Sequence, residues 1–584
     1  MQNFLGVECS ATNRKWVGPN AEQDRHAQAL AQQTGLPIAL CQLLAQRGVN
    51  AEAVTAFLTP SLRELMPDPS SLKDMDIAAD RLATAVRDGE KVAIFADYDV
   101  DGGSSAALLM NWFSRVGMQA TLYVPDRISE GYGPNEAAMR ELAKHHNLII
   151  CVDCGTLSFE PIAAAHLAEV IVLDHHQGGE TLPAALAVVN PNRQDESAGL
   201  EYLCAAGVVF MLLVATNRLM RKAGATPPDL MELLDLVALA TVADVAPLVG
   251  LNRAFVRQGL SIMARRQRVG LTALCDIAKL DAAPNTYHLG FLLGPRINAG
   301  GRIGKADLGA RLLSTDDRHV AGALAEKLDQ LNRERREVEE QVRLKALDQA
   351  QARGLSAPLV WAADEGWHPG VVGIVAARLK ELANRPAVVI GFDEGGGKGS
   401  GRSVTGVDLG ASITTLAAEG LIEKGGGHKM AAGLSLTRAQ LEPAMARLTE
   451  LLADQGSAEI GPAELFITSL LSPKAITIEL IETLESAGPF GAGAPAPRFA
   501  LPSVRVAFAK RAGENHLRLA FEDADGARID AIAFRAFDGP LGDLLQNHAG
   551  AIFNVVGRLE IDSWGGRKKP KLRLEDASLI GEAN

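Results

Sequence analysis

Short apolar segments alternate with amphipathic segments between residues 91 and 173. Four short segments have the near-continuous apolar character of strands buried on both faces: 91–96, 120–124, 148–152 and 170–173. Three segments between them have apolar residues at helical spacing: 104–116, 135–145 and 162–168. Strands that alternate with helices form a parallel sheet covered on both faces. The pattern therefore predicts an α/β domain.

The pattern becomes helical from residue 204 to about residue 268, and a long, highly charged segment follows at 316–353. Apolar residues recur in this segment at helical spacing, at Leu324, Leu328, Leu331, Val338, Val342 and Leu347. This spacing predicts one long solvent-exposed helix that links two lobes. A second α/β region begins after it, with strands at 359–362 and 387–390 around a helix at 371–382.

The last part of the chain, residues 462–584, is rich in predicted strands. Five short runs have strand character: 505–508, 516–521, 531–534, 552–556 and 571–574. Five short strands separated by turn residues are typical of a small Greek-key barrel such as an OB fold. A chain of 584 residues is too long for a single core.

The combined patterns predict an α/β protein with five parts. A helical leader (1–75) precedes a parallel-sheet catalytic domain (76–315). A connecting helix (316–355) joins this domain to a second α/β domain (356–458). An OB-type barrel (459–584) completes the chain.

Composition and charge limit the possible functions. The longest apolar run, 203–216, is shorter than the roughly 20 residues that a membrane-spanning helix needs. The first 16 residues contain no apolar core of a signal peptide, so the cytoplasm is the expected compartment and no membrane partner is expected. The net charge of −12 argues against binding nucleic acid by charge over the whole surface. It is compatible with a local basic channel.

Acidic residues follow three of the predicted strands. The first strand ends in Asp97-Tyr-Asp99-Val-Asp-Gly-Gly, the third in Asp153 and the fourth in Asp174-His175-His176. A further acid, Asp244, ends a helical segment. Ligands of open α/β sheets bind at the carboxyl ends of the strands. Oxygen-rich sites with one or two imidazoles suit Mn²⁺ or Mg²⁺, so the pattern predicts a centre for two such ions that catalyses phosphoryl transfer.

Other interpretations exist for the single residues. One Asp at a strand end usually caps a helix, and adjacent histidines are usually incidental. Cys151 and Cys154 have the spacing of a redox or zinc pair, but no second pair follows at zinc spacing. Three acidic strand ends in one domain are much harder to explain as caps, so the metal centre is favoured.

Asp174-His175-His176 resembles the signature of the DHH phosphoesterase family, and the segment 97–102, Asp153 and Asp244 resemble its other motifs in the expected order. The resemblance implies that two ions are held by Asp97, Asp99, Asp153, His175 and Asp244, with Asp174 and His176 beside them in the catalytic set. Several members have a histidine four residues before the first Asp, where this chain has Ala93. Members of the exonuclease branch commonly lack this histidine.

Further motifs resemble the DHH-associated substrate domain and the exonuclease branch. They are 366–376, 400–403 and 425–428, whose glycine-rich stretches are expected to form turns, together with 125–133, 296–304 and 489–493. The resemblance implies that substrate is bound by Arg127, Arg296, Asn298, Arg302, Ser400, Arg402 and His428. Arg127, Ser400 and Arg402 are the residues expected to hold a terminal phosphate.

The resemblance implies a monomeric exonuclease that degrades single-stranded DNA from the 5′ end to mononucleotides in DNA repair and recombination. Single-strand-binding protein and a repair helicase are the expected protein partners. Two alternatives stay open: a phosphodiesterase for short oligonucleotides or dinucleotides, and a scaffold without activity. A barrel able to bind single strands favours the exonuclease, since a dinucleotide does not need it. The complete set of acids and histidines argues against the scaffold.

Overall fold

The computed structural model describes residues 3–126, 129–562 and 567–581. The chain forms two compact units. One contains Met1–Leu65 together with Gly461–Asn584, and the other contains Met66–Ile460. The boundaries of the five predicted parts remain predictions, but the grouping shows that the N-terminal segment belongs to the same unit as the C-terminal one.

The N-terminal segment begins with a strand and continues as helices. These elements are β1 (Arg14–Val17), α1 (Ala21–Thr34), α2 (Ile38–Gln46), α3 (Val54–Leu58) and α4 (Leu62–Leu65). Helix α1 starts with a capping box, in which Asn20 and Gln23 each bond the other's backbone N–H. The predicted helical leader therefore also contains a strand.

The second unit begins with α5 (Met75–Asp88) and a five-stranded sheet. Its strands are β2 (Val92–Ala96), β3 (Ala120–Tyr123), β4 (Leu148–Val152), β5 (Glu169–Leu173) and β6 (Ala187–Val189). The helices between them are α6 (Val100–Arg115), α7 (Glu136–Ala143) and α8 (Phe159–Ala164). All strands are parallel, in the order β3-β2-β4-β5-β6. The order changes direction between β2 and β4, and such a switch point opens a crevice at the strands' carboxyl ends.

Helices fill the rest of this half of the unit. They are α9 (Ala205–Lys222), α10 (Leu234–Ala243), α11 (Gly250–Met263), α12 (Val269–Ile277), α13 (Gly294–Ile303) and α14 (Leu308–Ser314), with a π-helical turn at His288–Leu293. The predicted long helix is α15 (Arg318–Arg353), 36 residues in length. It is less exposed than expected, because its apolar stripe packs on α12, α13, α14 and α16 (Pro369–Ala383).

The second half of this unit contains a mixed sheet. Its further elements are β7 (Val360–Glu365), β8 (Ala387–Asp393), β9 (Gly396–Arg402), α17 (Leu409–Ala418), β10 (Lys424–His428), β11 (Ala431–Leu436) and α18 (Leu441–Asp454). Only β7 and β8 pair in parallel, in the order β10-β11-β9-β8-β7. The expectation of glycine-rich turns at 400–403 and 425–428 was wrong, because most of these residues lie in β9 and β10. Glycine is needed there for packing, since a Cβ on Gly401 would lie 2.6 Å from Leu409 Cδ2.

The C-terminal segment forms the predicted barrel. Its elements are β12 (Ala463–Phe466), β13 (Ser469–Leu470), α19 (Ile478–Glu485), β14 (Phe499–Ala512), β15 (His516–Glu522), β16 (Arg528–Ala533), α20 (Pro540–Gln546), β17 (Ile552–Asp562) and β18 (Lys569–Leu579). The barrel closes in the order β14-β15-β16-β18-β17, with β17 returning to β14. Its core contains Phe521 and Phe553. Strand β12 pairs in parallel with β1.

The architecture confirms the predicted fold class: a parallel-sheet domain, a long connecting helix, a second α/β domain and a closed five-stranded barrel. Among the described helices, none is both long enough and apolar enough to cross a membrane.

Candidate metal centre

The carboxyl end of β2 carries two predicted ligands, Asp97 and Asp99. Asp97 is buried at the switch point. Oδ1 of Asp99 accepts hydrogen bonds from the N–H groups of Asp101 and Gly102, at 2.8 and 3.1 Å, and so caps α6. Because of this cap the helix begins at Val100, four residues before its predicted start. A Cβ on Gly102 would lie 2.5 Å from the carbonyl oxygen of Asp97, so this tight turn requires glycine.

Asp153 follows β4, the neighbour of β2 across the switch point. Its φ of 59° is left-handed, a conformation that non-glycine residues seldom adopt and that is frequent at functional sites. Its buried Oδ1 lies 3.3 Å from Nε2 of His175, which follows β5. The hydroxyl of Tyr132 donates to the carbonyl of Asp153 at 3.2 Å and also lies 3.2 Å from Nε2 of His176.

Asp174 orients the centre from inside the protein. Its Oδ2 accepts two hydrogen bonds from Thr156, and its Oδ1 accepts bonds from the backbone of His175 and His176 and from Nδ1 of His176 at 2.8 Å. Burial raises the pKa of Asp174, but the bond and charge of His176 and the bonds from Thr156 outweigh burial and leave it below the usual value. Burial lowers the pKa of His176, and Asp174 raises it to about 9.

Two asparagines after β6 hold the histidine segment by its backbone. Asn190 donates to the carbonyl of His176 at 2.8 Å, and Asn192 donates to the carbonyl of His175 at 2.6 Å. The sequence pattern did not predict their contribution, because it did not predict the short strand β6. The run of apolar residues at 187–189 was the available signal.

Asp101 is a candidate ligand that was also missed. It is buried, and its two oxygens accept the N–H groups of Ala205 and Ala206 at the start of α9, at 2.6 and 2.8 Å. Oδ2 of Asp101 lies 3.7 Å from Nε2 of His175, and Oδ2 of Asp244 lies 3.8 Å from the same atom. The signal was present, since Asp101 is the third acid of the Asp97-x-Asp99-x-Asp101 pattern.

The ionisable groups form three overlapping sets whose ligand atoms lie within 4.8 Å of one another. The sets are Asp97 with Asp99 and Asp153, Asp101 with His175 and Asp244, and Asp153 with His175 and His176. Burial first, and then the neighbouring carboxylates, raise the pKa values of Asp101 and Asp153, and the same causes raise that of Asp244 to about 9. Carboxylates forced together in this way are suited to hold cations. The oxygen-rich donors fit Mn²⁺ or Mg²⁺.

A cavity of about 390 Å³ lies between α13 and the second sheet. The polar side chains that line it are those of Arg302, His368, Lys398, Ser400 and Arg402. Arg402 donates to Ser400 Oγ at 2.9 Å, and burial lowers the pKa of its guanidinium. Three cationic side chains and a hydroxyl around one cavity favour an anion such as a phosphate group.

The remaining predicted substrate residues have other surroundings. Arg296 forms an ion pair with Asp329 at 2.9 Å, and Asn298 accepts the N–H of Val100 at 3.0 Å. His428 is exposed at the end of β10 and is not among the cavity-lining residues. Arg127 lies outside the described residues. Substrate binding by these residues therefore remains a prediction.

Family models match three parts of the chain. The DHH family N-terminal domain matches residues 91–241, the DHHA1 domain matches residues 355–454, and the RecJ OB domain matches residues 467–576. The matches correspond to the parallel sheet with its first helices, the mixed sheet and the barrel.

Named relatives cover almost the whole chain. A single-stranded-DNA-specific exonuclease RecJ from Dickeya dadantii is 38% identical over 92% of this chain and 96% of its own length. The Bacillus subtilis protein of the same name is 33% identical over 97% of this chain and 71% of its own. The crystal structure of Thermus thermophilus RecJ in complex with Mn²⁺ superposes with a TM-score of 0.80 and 30% identity, over 97% of this chain and 80% of the other. The chain therefore belongs to the RecJ family.

Proposed function

We propose that the protein is a metal-dependent exonuclease specific for single-stranded DNA, which proceeds 5′→3′ and releases 5′ mononucleotides in DNA repair and recombination. The observation that carries the proposal is the convergence of Asp97, Asp99, Asp101, Asp153, His175 and Asp244 at the switch point of the parallel sheet. The chain that carries this set is also 38% identical to a named single-stranded-DNA-specific exonuclease.

The residues fit two divalent ions, Mn²⁺ or Mg²⁺. Asp97, Asp99 and Asp153 would hold one ion, and Asp101, His175 and Asp244 the other. His175 is 3.3 Å from Asp153, so the two sets lie side by side. When bound, two such ions supply a deprotonated water and neutralise charge on the scissile phosphate.

The chain's own residues position the reaction. Asp174 holds His176 through its Nδ1, so the other ring nitrogen faces the hydroxyl of Tyr132. Arg302, Ser400 and Arg402 bind the 5′-terminal phosphate in the cavity. The contact expected of Arg127, which lies outside the described residues, stays a prediction. A terminal phosphate fixed at one place defines which phosphodiester bond reaches the metal centre, so cleavage proceeds from that end.

The barrel supplies a further surface for the single strand. Phe508 and Phe534 are about half exposed, and the guanidinium of Arg573 lies 5.2 Å from the ring centre of Phe534. Exposed aromatic rings beside arginine are typical of surfaces on which bases stack.

The proposal also includes a cytoplasmic monomer and two protein partners, single-strand-binding protein and a repair helicase. Light scattering tests the monomer, affinity capture from cell extract tests the partners, and cell fractionation tests the compartment.

The deciding experiment uses single-stranded DNA of about 50 nucleotides, labelled at either end, with Mn²⁺ or Mg²⁺. The wild type is compared with Asp153→Asn, with Asp276→Asn as an exposed carboxylate control, and with EDTA. Release of the 5′ label as a mononucleotide by the wild type and by Asp276→Asn alone supports the proposal. Blunt duplex should remain intact.

The terminal-phosphate cavity needs a separate comparison. Substrates with a 5′ phosphate or a 5′ hydroxyl are digested by the wild type, Arg402→Ala and Arg378→Ala, an exposed arginine on α16. Only Arg402→Ala should lose the preference for the phosphate. Cleavage of dinucleotides with intact long strands would instead favour the small-substrate phosphodiesterase, and binding without cleavage would favour the scaffold.

A further inference from the structure

An exposed aromatic pair lies at the π-helical turn His288–Leu293, with Tyr287 directly before the turn and Phe291 within it. Phe291 is 72% exposed and Tyr287 is 54% exposed. Their rings are stacked, with centroids 5.3 Å apart and planes 26° from parallel. Contiguous exposed apolar surface, such as two adjoining rings, often marks an interaction site, and π-helical turns are frequent at functional sites.

The backbone of the turn is anchored on the side opposite the aromatic pair. Leu289 and Leu293 are fully buried on the opposite face of the turn. The start of the turn is fixed by Asn285 and His288, since the backbone N–H of each donates to the other's side chain at 3.1 Å. A ring pair on an anchored backbone loses less conformational freedom on binding than one on a loose loop.

The turn also packs beside the metal centre. A Cβ on Gly290 would lie 3.5 Å from Cγ1 of Val242, and one on Gly294 would lie 3.2 Å from Cβ of Ala243. Val242 and Ala243 form the end of α10, and Asp244 follows directly. A Cβ on Gly294 would also lie 3.9 Å from Cγ2 of Val100, the first residue of α6. The aromatic turn therefore adjoins two of the segments that carry the proposed ligands, the start of α6 and the end of α10.

We propose that Tyr287 and Phe291 form a stacking platform for an unpaired base of the DNA strand bound at the metal centre. This inference rests on the proposed function and adds a specificity residue to it. A base extends the stacked pair by one more ring, and stacking accepts every base because each has a π face. A base within a duplex is already stacked on its neighbours, so the platform favours single strands.

Phe291→Ala tests the platform in the full-length protein, with Phe291→Trp as the conservative variant. Leu167→Ala, which removes another exposed apolar side chain of the same unit, is the matched control. Phe291→Ala should raise KM for single-stranded DNA about tenfold, in the range measured for aromatic–base stacking. Phe291→Trp should keep the KM of the wild type, because indole also stacks on a base. The Mn²⁺ titration midpoint should stay at the wild-type value, which shows that the metal centre is intact.

An abasic scan separates stacking from a merely structural effect. Substrates carry one abasic nucleotide at each of the first six positions. In the wild type one position should raise KM by about the factor that Phe291→Ala causes. In Phe291→Ala the abasic substitution at that position should have no further effect. An undiminished abasic effect in Phe291→Ala, or a KM equal to that of Leu167→Ala, overturns the inference.

Binding without cleavage distinguishes this inference from the proposed function. Single-stranded DNAs with 2-aminopurine at one of the first six positions are each mixed with wild type or Phe291→Ala in EDTA. Quenching that occurs with the wild type alone supports the platform even if no cleavage is seen. Equal quenching overturns it even if the wild type is an exonuclease. A change only in the sedimentation of the free protein also overturns it, because the pair would then be a protein contact.

Discussion

Asn298 accepts a hydrogen bond from the backbone N–H of Val100 at 3.0 Å, across 198 residues of the chain. Val100 starts the helix whose capping residue is Asp99, so Asn298 fixes the segment that carries Asp97, Asp99 and Asp101. Its position indicates that it acts on the proposed metal ligands through the backbone. Residues of this kind orient ligands without touching the ion.

Asn298→Ala should weaken Mn²⁺ binding by about 10- to 100-fold, because the segment 97–101 loses its anchor. Calorimetric titration of the metal-free protein with Mn²⁺ gives the affinity. Asn111→Ala, which removes another asparagine buried along the same helix, should bind Mn²⁺ as the wild type does. An unchanged affinity in Asn298→Ala would show that the anchor is dispensable.

Asp101→Asn and Asp101→Ala should both weaken Mn²⁺ binding at least as much as Asn298→Ala does. Asp101→Ala should also lower the free energy of unfolding by about 1–3 kcal/mol, since two buried N–H groups of α9 lose their acceptor. Asp101→Asn keeps one acceptor oxygen, so its free energy of unfolding should fall by less. Urea unfolding in EDTA measures this difference. Equal stability of the two variants would contradict the capping role.

The metal-free protein should become less stable as the pH rises from 5 to 9. Asp244, Asp153 and Asp101 have raised pKa values in the folded protein, and that of Asp244 is about 9. A group with a raised pKa stabilises the fold below its unfolded pKa of about 4, and this stabilisation is lost as the pH rises through the folded value. The pKa of His176 is also raised, to about 9, so its contribution to stability likewise falls as the pH rises above the ordinary value of 6.5.

Thermal unfolding in EDTA across this pH range tests the linkage. Mn²⁺ should raise the melting temperature most at high pH, because it compensates the carboxylates that have lost their protons. Asp244→Asn should flatten the pH dependence in EDTA, since one of the groups is removed. A melting temperature that rises with pH in the metal-free wild type would contradict the expected sign.

Trp16→Phe should destabilise the unit that contains the barrel by about 1–3 kcal/mol. Nε1 of Trp16 donates to Oδ2 of Asp576 at 2.8 Å, and both side chains are fully buried. Phenylalanine fills most of the space but leaves this carboxylate oxygen without the indole donor. Lys15→Ala in the same strand is the control. Urea unfolding should show an earlier transition in Trp16→Phe and a wild-type transition in Lys15→Ala.

The sequence predicted the parallel sheet well because both faces of its strands are buried. Strands such as Leu148–Val152 are wholly buried, so they appear as apolar runs that local pattern alone detects. Strands β9 and β10 escaped prediction, since their glycines have no side chain that reports burial. Glycine is favoured at these positions by close neighbours from other parts of the chain, such as Leu434, whose Cδ2 would lie 3.0 Å from a Cβ on Gly399.

Acidic strand ends were likewise visible in the sequence, because parallel strands bring their carboxyl ends to one edge. This topology places Asp97 and Asp153 together, and chemistry then implies a divalent ion. What the sequence could not determine was which nearby polar residue serves the ions and which serves the fold. Asp101 caps α9 and also faces His175, whereas Arg296 is ion-paired with Asp329. Such roles depend on distances between segments that are up to about 200 residues apart, and only tertiary packing sets those distances.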